Sequence, residues 1–148
     1  MQTALNHLLP AKFRRSATPD RLLLLAQFLR FGIVGGAGFI VDTATVYGLR
    51  HTLGLYGAGM VAYVTAASSN WALNRIWTFR GRGKGPAHRQ WAMFMVTNLV
   101  GFVLNRGTYA LLVTFVIAAA DQPVIATAAG AVAGLFVNFS LSRRLVFR

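Results

Sequence analysis

NWALNRIWTFR, residues 70–80, ends one apolar run, and NFSLSRRLVFR, residues 138–148, ends another. Laid one on the other, the two stretches share Asn, Leu, Arg, Phe and Arg at matching positions. A polar, arginine-bearing ending used twice points to a chain built from two related halves. Each half finishes where apolar surroundings give way to polar ones.

The correspondence extends beyond the endings. A shift of 68 residues places Asn70 on Asn138, Leu73 on Leu141, Arg75 on Arg143 and Phe79 on Phe147. A shift of 63 residues aligns the two earlier runs, with Phe31 on Phe94, Gly38 on Gly101, Phe39 on Phe102 and Asp42 on Asn105. The difference between the shifts falls in the second hairpin loop. Each half holds two apolar runs, so it starts and ends on the same side. A parallel repeat about an axis along the membrane normal is the expected arrangement.

Composition fixes the solvent. The chain has 148 residues, 55% of them hydrophobic, a mean hydropathy of +0.53 and three acids, Asp20, Asp42 and Asp121. Four runs approach the roughly 20 apolar residues that a membrane-crossing helix needs: about 28–49, 57–79, 91–118 and 123–147. They are apolar nearly all round, unlike helices of a water-soluble bundle. The expected fold is an all-α membrane protein, with four transmembrane helices as two parallel two-helix repeats, 28–80 and 91–148. Residues 1–26 read as a basic cytosolic segment ahead of a membrane domain over 27–148. Lys12, Arg14 and Arg15 precede a short leucine run there, but Arg30 follows soon and no cleavage site does, which argues against a signal peptide.

The net charge of +12 suggests nucleic acid only until the charges are located. They punctuate the ends of apolar runs, so no nucleic-acid partner is expected. Thirteen of the fifteen basic residues fall on one face, with Arg50 and Arg106 as the exceptions. The positive-inside rule makes that face, with both termini, cytosolic. Without cysteine there is no disulfide or thiolate chemistry. Glu is absent and the three histidines are scattered, so neither a metal site nor an enzyme is expected, and no cofactor.

Inside the runs, small or polar residues recur every four positions: Ala58, Ala62, Ala66, Asn70 and Asn74, and then Ala126, Gly130, Gly134, Asn138 and Ser142. Such ridges let helices approach closely. They also suggest a homo-oligomer, since four helices make a thin wall around a ligand. Carboxamides are costly in hydrocarbon without partners, so the Asn positions imply a polar patch built twice. Asp42 and Arg106 lie near matched depth, where a charge costs about 2.5–3.5 kcal/mol on insertion scales. They are expected either to pair or to share a site, with Asn98 and Asn105 on one face beside them.

RFGIVGGAGF, residues 30–39, followed by NWALNRIWTFR and the weaker NFSLSRRLVFR, resembles the GtrA-like family of small four-span bacterial membrane proteins. Ser142 and Leu145 depart from the Asn and Trp expected in the second copy. The resemblance implies translocation of a polyprenyl-phosphate-linked sugar across the bacterial cytoplasmic (inner) membrane for cell-surface polysaccharide modification. It also implies a polyprenyl-phosphate glycosyltransferase as partner. Arginine forks suit phosphate and Asn amides suit sugar hydroxyls, so the candidate substrate-binding set is Asn70, Asn74, Arg75, Trp77, Asn138, Arg143, Asp42, Asn105 and Arg106. Two alternatives stand: a small four-span exporter of cationic or drug-like compounds centred on Asp42, and a non-transporting membrane partner of a glycosyltransferase.

Overall fold

The computed structural model describes residues 19–83 and 85–148, so the early basic residues Lys12, Arg14 and Arg15, and Lys84, lie outside the described residues. Among those described, the chain is helical and contains no strand. Helix α1 covers Pro19–Leu73 and runs into a π-helical turn, Asn74–Thr78. After a short connection come α2 (Ala87–Phe115), a brief α3 (Ile117–Asp121) and α4 (Pro123–Leu141), which runs into a second π-helical turn, Ser142–Val146. Three of these helices, counted with their π-turns, are long and apolar enough to cross a membrane.

Helix α1 is too long to be one straight rod. At 1.5 Å per residue, positions 38 and 70 would stand about 48 Å apart. Yet a Cβ added to Gly38 would overlap the carboxamide of Asn70. The chain doubles back at Gly54, where φ is 67° and ψ is 173°, a conformation that glycine adopts at little steric cost. The arms 19–53 and 55–73 thus lie side by side. Helices α2 and α4 form the matching hairpin: a Cβ on Gly101 would overlap the carboxamide of Asn138, and one on Gly130 would stand 2.6 Å from the Asn105 carbonyl oxygen. Ala58, Ala62 and Ala66 are buried in the first hairpin, and Ala126, Gly130 and Gly134 in the second. Small side chains at four-residue intervals let the backbones meet.

Two boundaries differ from the sequence expectation. The first helix begins at Pro19, so residues 19–26 belong to its opening turns, with Asp20 complementing the helix N-terminus. The third run ends at Phe115 because Val116 is extended, at φ −121° and ψ 109°. The five-residue α3 then fills the longer second hairpin turn.

The two hairpins are joined at the end that carries both arginine signatures. Phe79 and Phe147, each fully buried, stack with centroids 4.6 Å apart and planes 15° from parallel. Phe31, Phe94, Phe139 and Val146 close around them. Each π-turn is held by a 2.8 Å bond across five residues, from the Phe79 N–H to the Asn74 carbonyl and from the Phe147 N–H to the Ser142 carbonyl. The repeated signature therefore aims two phenylalanines at one shared core. Away from it, large apolar side chains such as Phe39, Met60, Val103 and Phe136 are exposed, as lipid-facing surfaces require.

Candidate functional site

A cleft of about 550 Å³ lies between the hairpins. Its lining is paired: apart from Gly32, every residue has its counterpart at the 63- or 68-residue shift. Gly38 faces it with Gly101, Phe39 with Phe102 and Asp42 with Asn105. The second arms contribute Asn70 with Asn138, Ala66 with Gly134 and Tyr63 with Ala131.

Glycines seat the key amides. Asn70 lies over Gly38 and Asn138 over Gly101, each so close that any side chain at the glycine would collide with the carboxamide. Both Oδ1 atoms are buried and accept no hydrogen bond. Leaving such an oxygen unpaired costs about 1–3 kcal/mol, so two side chains that line the cleft carry acceptors in want of donors. Asn98, which also lines it, is satisfied locally, its Nδ2 donating 3.0 Å to the Phe94 carbonyl. Asp42 is the one carboxylate in the lining. Among the described residues no cluster of three or more His, Asp or Glu exists to hold a metal.

The structure separates the other candidate residues from this cleft. Arg106 is exposed, with its guanidinium 5.6 Å from the Phe102 ring centroid, and forms no ion pair with Asp42. The reason is rotational. Asn105 takes the place equivalent to Asp42, and the next residue points about 100° further round the helix. Asn74 is buried within the first π-turn, and its Oδ1 also lacks a partner. Trp77 lies on the outer surface, 42% exposed, with the Arg30 guanidinium 5.6 Å from its ring centroid.

Arg75 and Arg143 make two crossed bonds between the hairpins. Arg75 Nη1 donates to Gln90 Oε1 at 2.5 Å, and Arg143 Nε donates to Gln27 Oε1 at 3.1 Å. Gln27 and Gln90 are themselves equivalent at the 63-residue shift. Sequence reasoning misses both glutamines because the first apolar run begins at about residue 28; the same shift continued one position back reaches them. Gln90 is the busier of the two. Trp71 Nε1 also donates to its oxygen at 3.2 Å, while its Nε2 donates at 3.2 Å to the carbonyls of Gly83 and Val146.

Apolar helices of membrane-crossing length around a cleft that holds paired asparagines define a multi-pass membrane protein. Residues 30–147 match the model of the GtrA/DPMS transmembrane domain, and the chain belongs to that family. No curated protein matches it at a significant level.

Proposed function

We propose that the protein moves a polyprenyl-phosphate-linked sugar across the bacterial cytoplasmic membrane, the sugar occupying the cleft while the polyprenyl tail stays in lipid. Membership of the GtrA/DPMS family supports handling of lipid-linked sugars. The observation that carries the reading is that Asn70 and Asn138, which line one cavity, each hold a buried carboxamide oxygen with no hydrogen-bond partner. Sugar hydroxyls are donors that would satisfy both, and the amide nitrogens can donate back. The fold-back at Gly54 supports four crossings, arranged as two parallel hairpins with both termini cytosolic. No bond is made or broken; the transferases on either side of the membrane supply and consume the lipid.

The test is a proteoliposome containing this protein alone and a fluorescent polyprenyl-phosphate sugar, quenched from outside. Wild type should expose lipid from both leaflets, and the double variant Asn70→Leu with Asn138→Leu only from the outer one. Equal rates in empty liposomes and in the two proteins would sink the proposal. Asp42, the lone carboxylate of the cleft, favours a second reading as a cation exporter. Protein-dependent uptake of a cationic dye without lipid movement would select it.

A further inference from the structure

A second depression, about 460 Å³, opens at the arginine-rich end, between the first arm of α1 and α4. Arg21, Leu24, Leu25 and Phe28 form one wall, at helical spacing on a single face. Phe136, Phe139, Ser140, Arg143 and Arg144 form the other, on a face of α4 and its π-turn directed away from Asn138. Phe28 closes the floor by stacking on Phe136, centroids 4.9 Å apart, and meeting Phe139 edge-on. Three guanidiniums thus ring an apolar trough that no carboxylate lines; Asp20, though next to Arg21 in the chain, is not part of it.

The arginines are available. Arg143 spends only its Nε, on Gln27, which leaves its terminal fork without a hydrogen bond among the described residues. Arg21 and Arg144 are exposed and make none among the described residues. The equivalent positions on the opposite side of the molecule are built differently. Where Phe28 meets Phe136 here, the equivalent Trp91 and Ser68 are joined by a 2.9 Å hydrogen bond there. Arg144 has Ile76 as its counterpart, and the Arg75 terminus is engaged by Gln90. In one copy these positions are tied by hydrogen bonds, and in the other they line an open, cationic trough.

We infer that this trough binds the phosphate of an anionic bilayer glycerophospholipid from the cytosolic leaflet. Its phosphate sits among Arg21, Arg143 and Arg144, and its first acyl carbons lie along Leu24, Leu25, Phe28 and Phe136. Charge complementarity selects the occupant: the walls offer apolar contact for acyl carbon and three donors for phosphate oxygens, with no acid to attract a cation. The volume is within the range of small-molecule sites. This inference rests on the membrane reading alone, so failure of the sugar-translocation proposal leaves it standing.

Native mass spectrometry of the purified protein tests it with short-chain phosphatidylglycerol, phosphatidylcholine, inorganic phosphate and polyprenyl phosphate as probes. Phosphatidylglycerol should bind in one tight copy, and phosphatidylcholine more weakly. Arg21→Gln with Arg144→Gln should keep the thermal midpoint and weaken phosphatidylglycerol binding about 25-fold, at about fivefold per arginine. Arg80→Gln, an exposed arginine at the same end, should change nothing. Undiminished binding in the double variant, or an equal loss from Arg80→Gln, overturns the site. Displacement of phosphatidylglycerol by inorganic phosphate makes it a free-phosphate site, and tighter binding of polyprenyl phosphate makes it a substrate subsite. Either result overturns the assignment to a bilayer lipid.

Discussion

Gly101→Ala separates the role of the cleft from the stability of the bundle. The added methyl collides with the Asn138 carboxamide, the free end of a side chain, so the amide swings aside while the helices stay in register. Alanine gains about 1 kcal/mol of helix propensity over glycine. Forcing Asn138 off its rotamer costs about 0.5–1.5 kcal/mol. The two nearly cancel, and the thermal midpoint should move by no more than a few degrees. Transport has no such offset. Losing one substrate hydrogen bond of about 1–1.5 kcal/mol slows the step that uses it about tenfold. Gly38→Ala should repeat the result through Asn70. Gly36→Ala, whose methyl would meet nothing within 4 Å, should stabilise slightly and transport normally. Thermal melts paired with the proteoliposome assay read both quantities. A folded Gly101→Ala protein with full transport would refute the role given to Asn138, as would a Gly36→Ala protein that loses as much.

Cysteines introduced at Arg80 and Arg148, both exposed, should label from the cytosolic side and those at Thr52 and Gln122 from the exterior; the reverse pattern would overturn the orientation. Gln90→Leu strands the carbonyls of Gly83 and Val146 and should cost about 2–3 kcal/mol in a thermal melt, whereas Gln27→Leu, with one bond to lose, should cost about 1. Arg75→Lys should lower the thermal midpoint while leaving binding of lipid-linked sugar within about twofold, because the planar fork serves Gln90 beside an indole ring. Arg106→Gln removes only an exposed cation–π contact worth about 0.5–1 kcal/mol and should leave expression and midpoint nearly unchanged.

What the sequence made legible was periodicity. The two shifts, read from Asn70, Gly38 and their counterparts, also pair the lining of the cleft. Direction was harder to read. Trp77 shares a signature with Asn70 but lies seven residues on, within a π-turn, and faces outward. No residue type announces a hydrogen bond across five residues rather than four, so the turn at Asn74 could not be foreseen. Arg106 misleads for a similar reason, since adjacency in sequence to the Asp42 counterpart is divergence on a helix. Arg75 and Arg143 read as substrate ligands because arginine near a membrane suggests phosphate. In the fold each also donates to a neutral glutamine, a residue that carries no comparable signal.

The crossed arginine–glutamine bonds set an order of events during synthesis. The first hairpin leaves the ribosome before the second, and until then Arg75 has no Gln90 and Gln27 has no Arg143. Phe79 likewise waits for Phe147. Each hairpin is therefore made with its polar end unfinished, and docking of the halves is the step that completes both. A quality-control protease that recognises unsatisfied polar groups in lipid would meet its target in that interval. Separately expressed halves, 1–84 and 85–148, should each be short-lived and should rescue one another when made together.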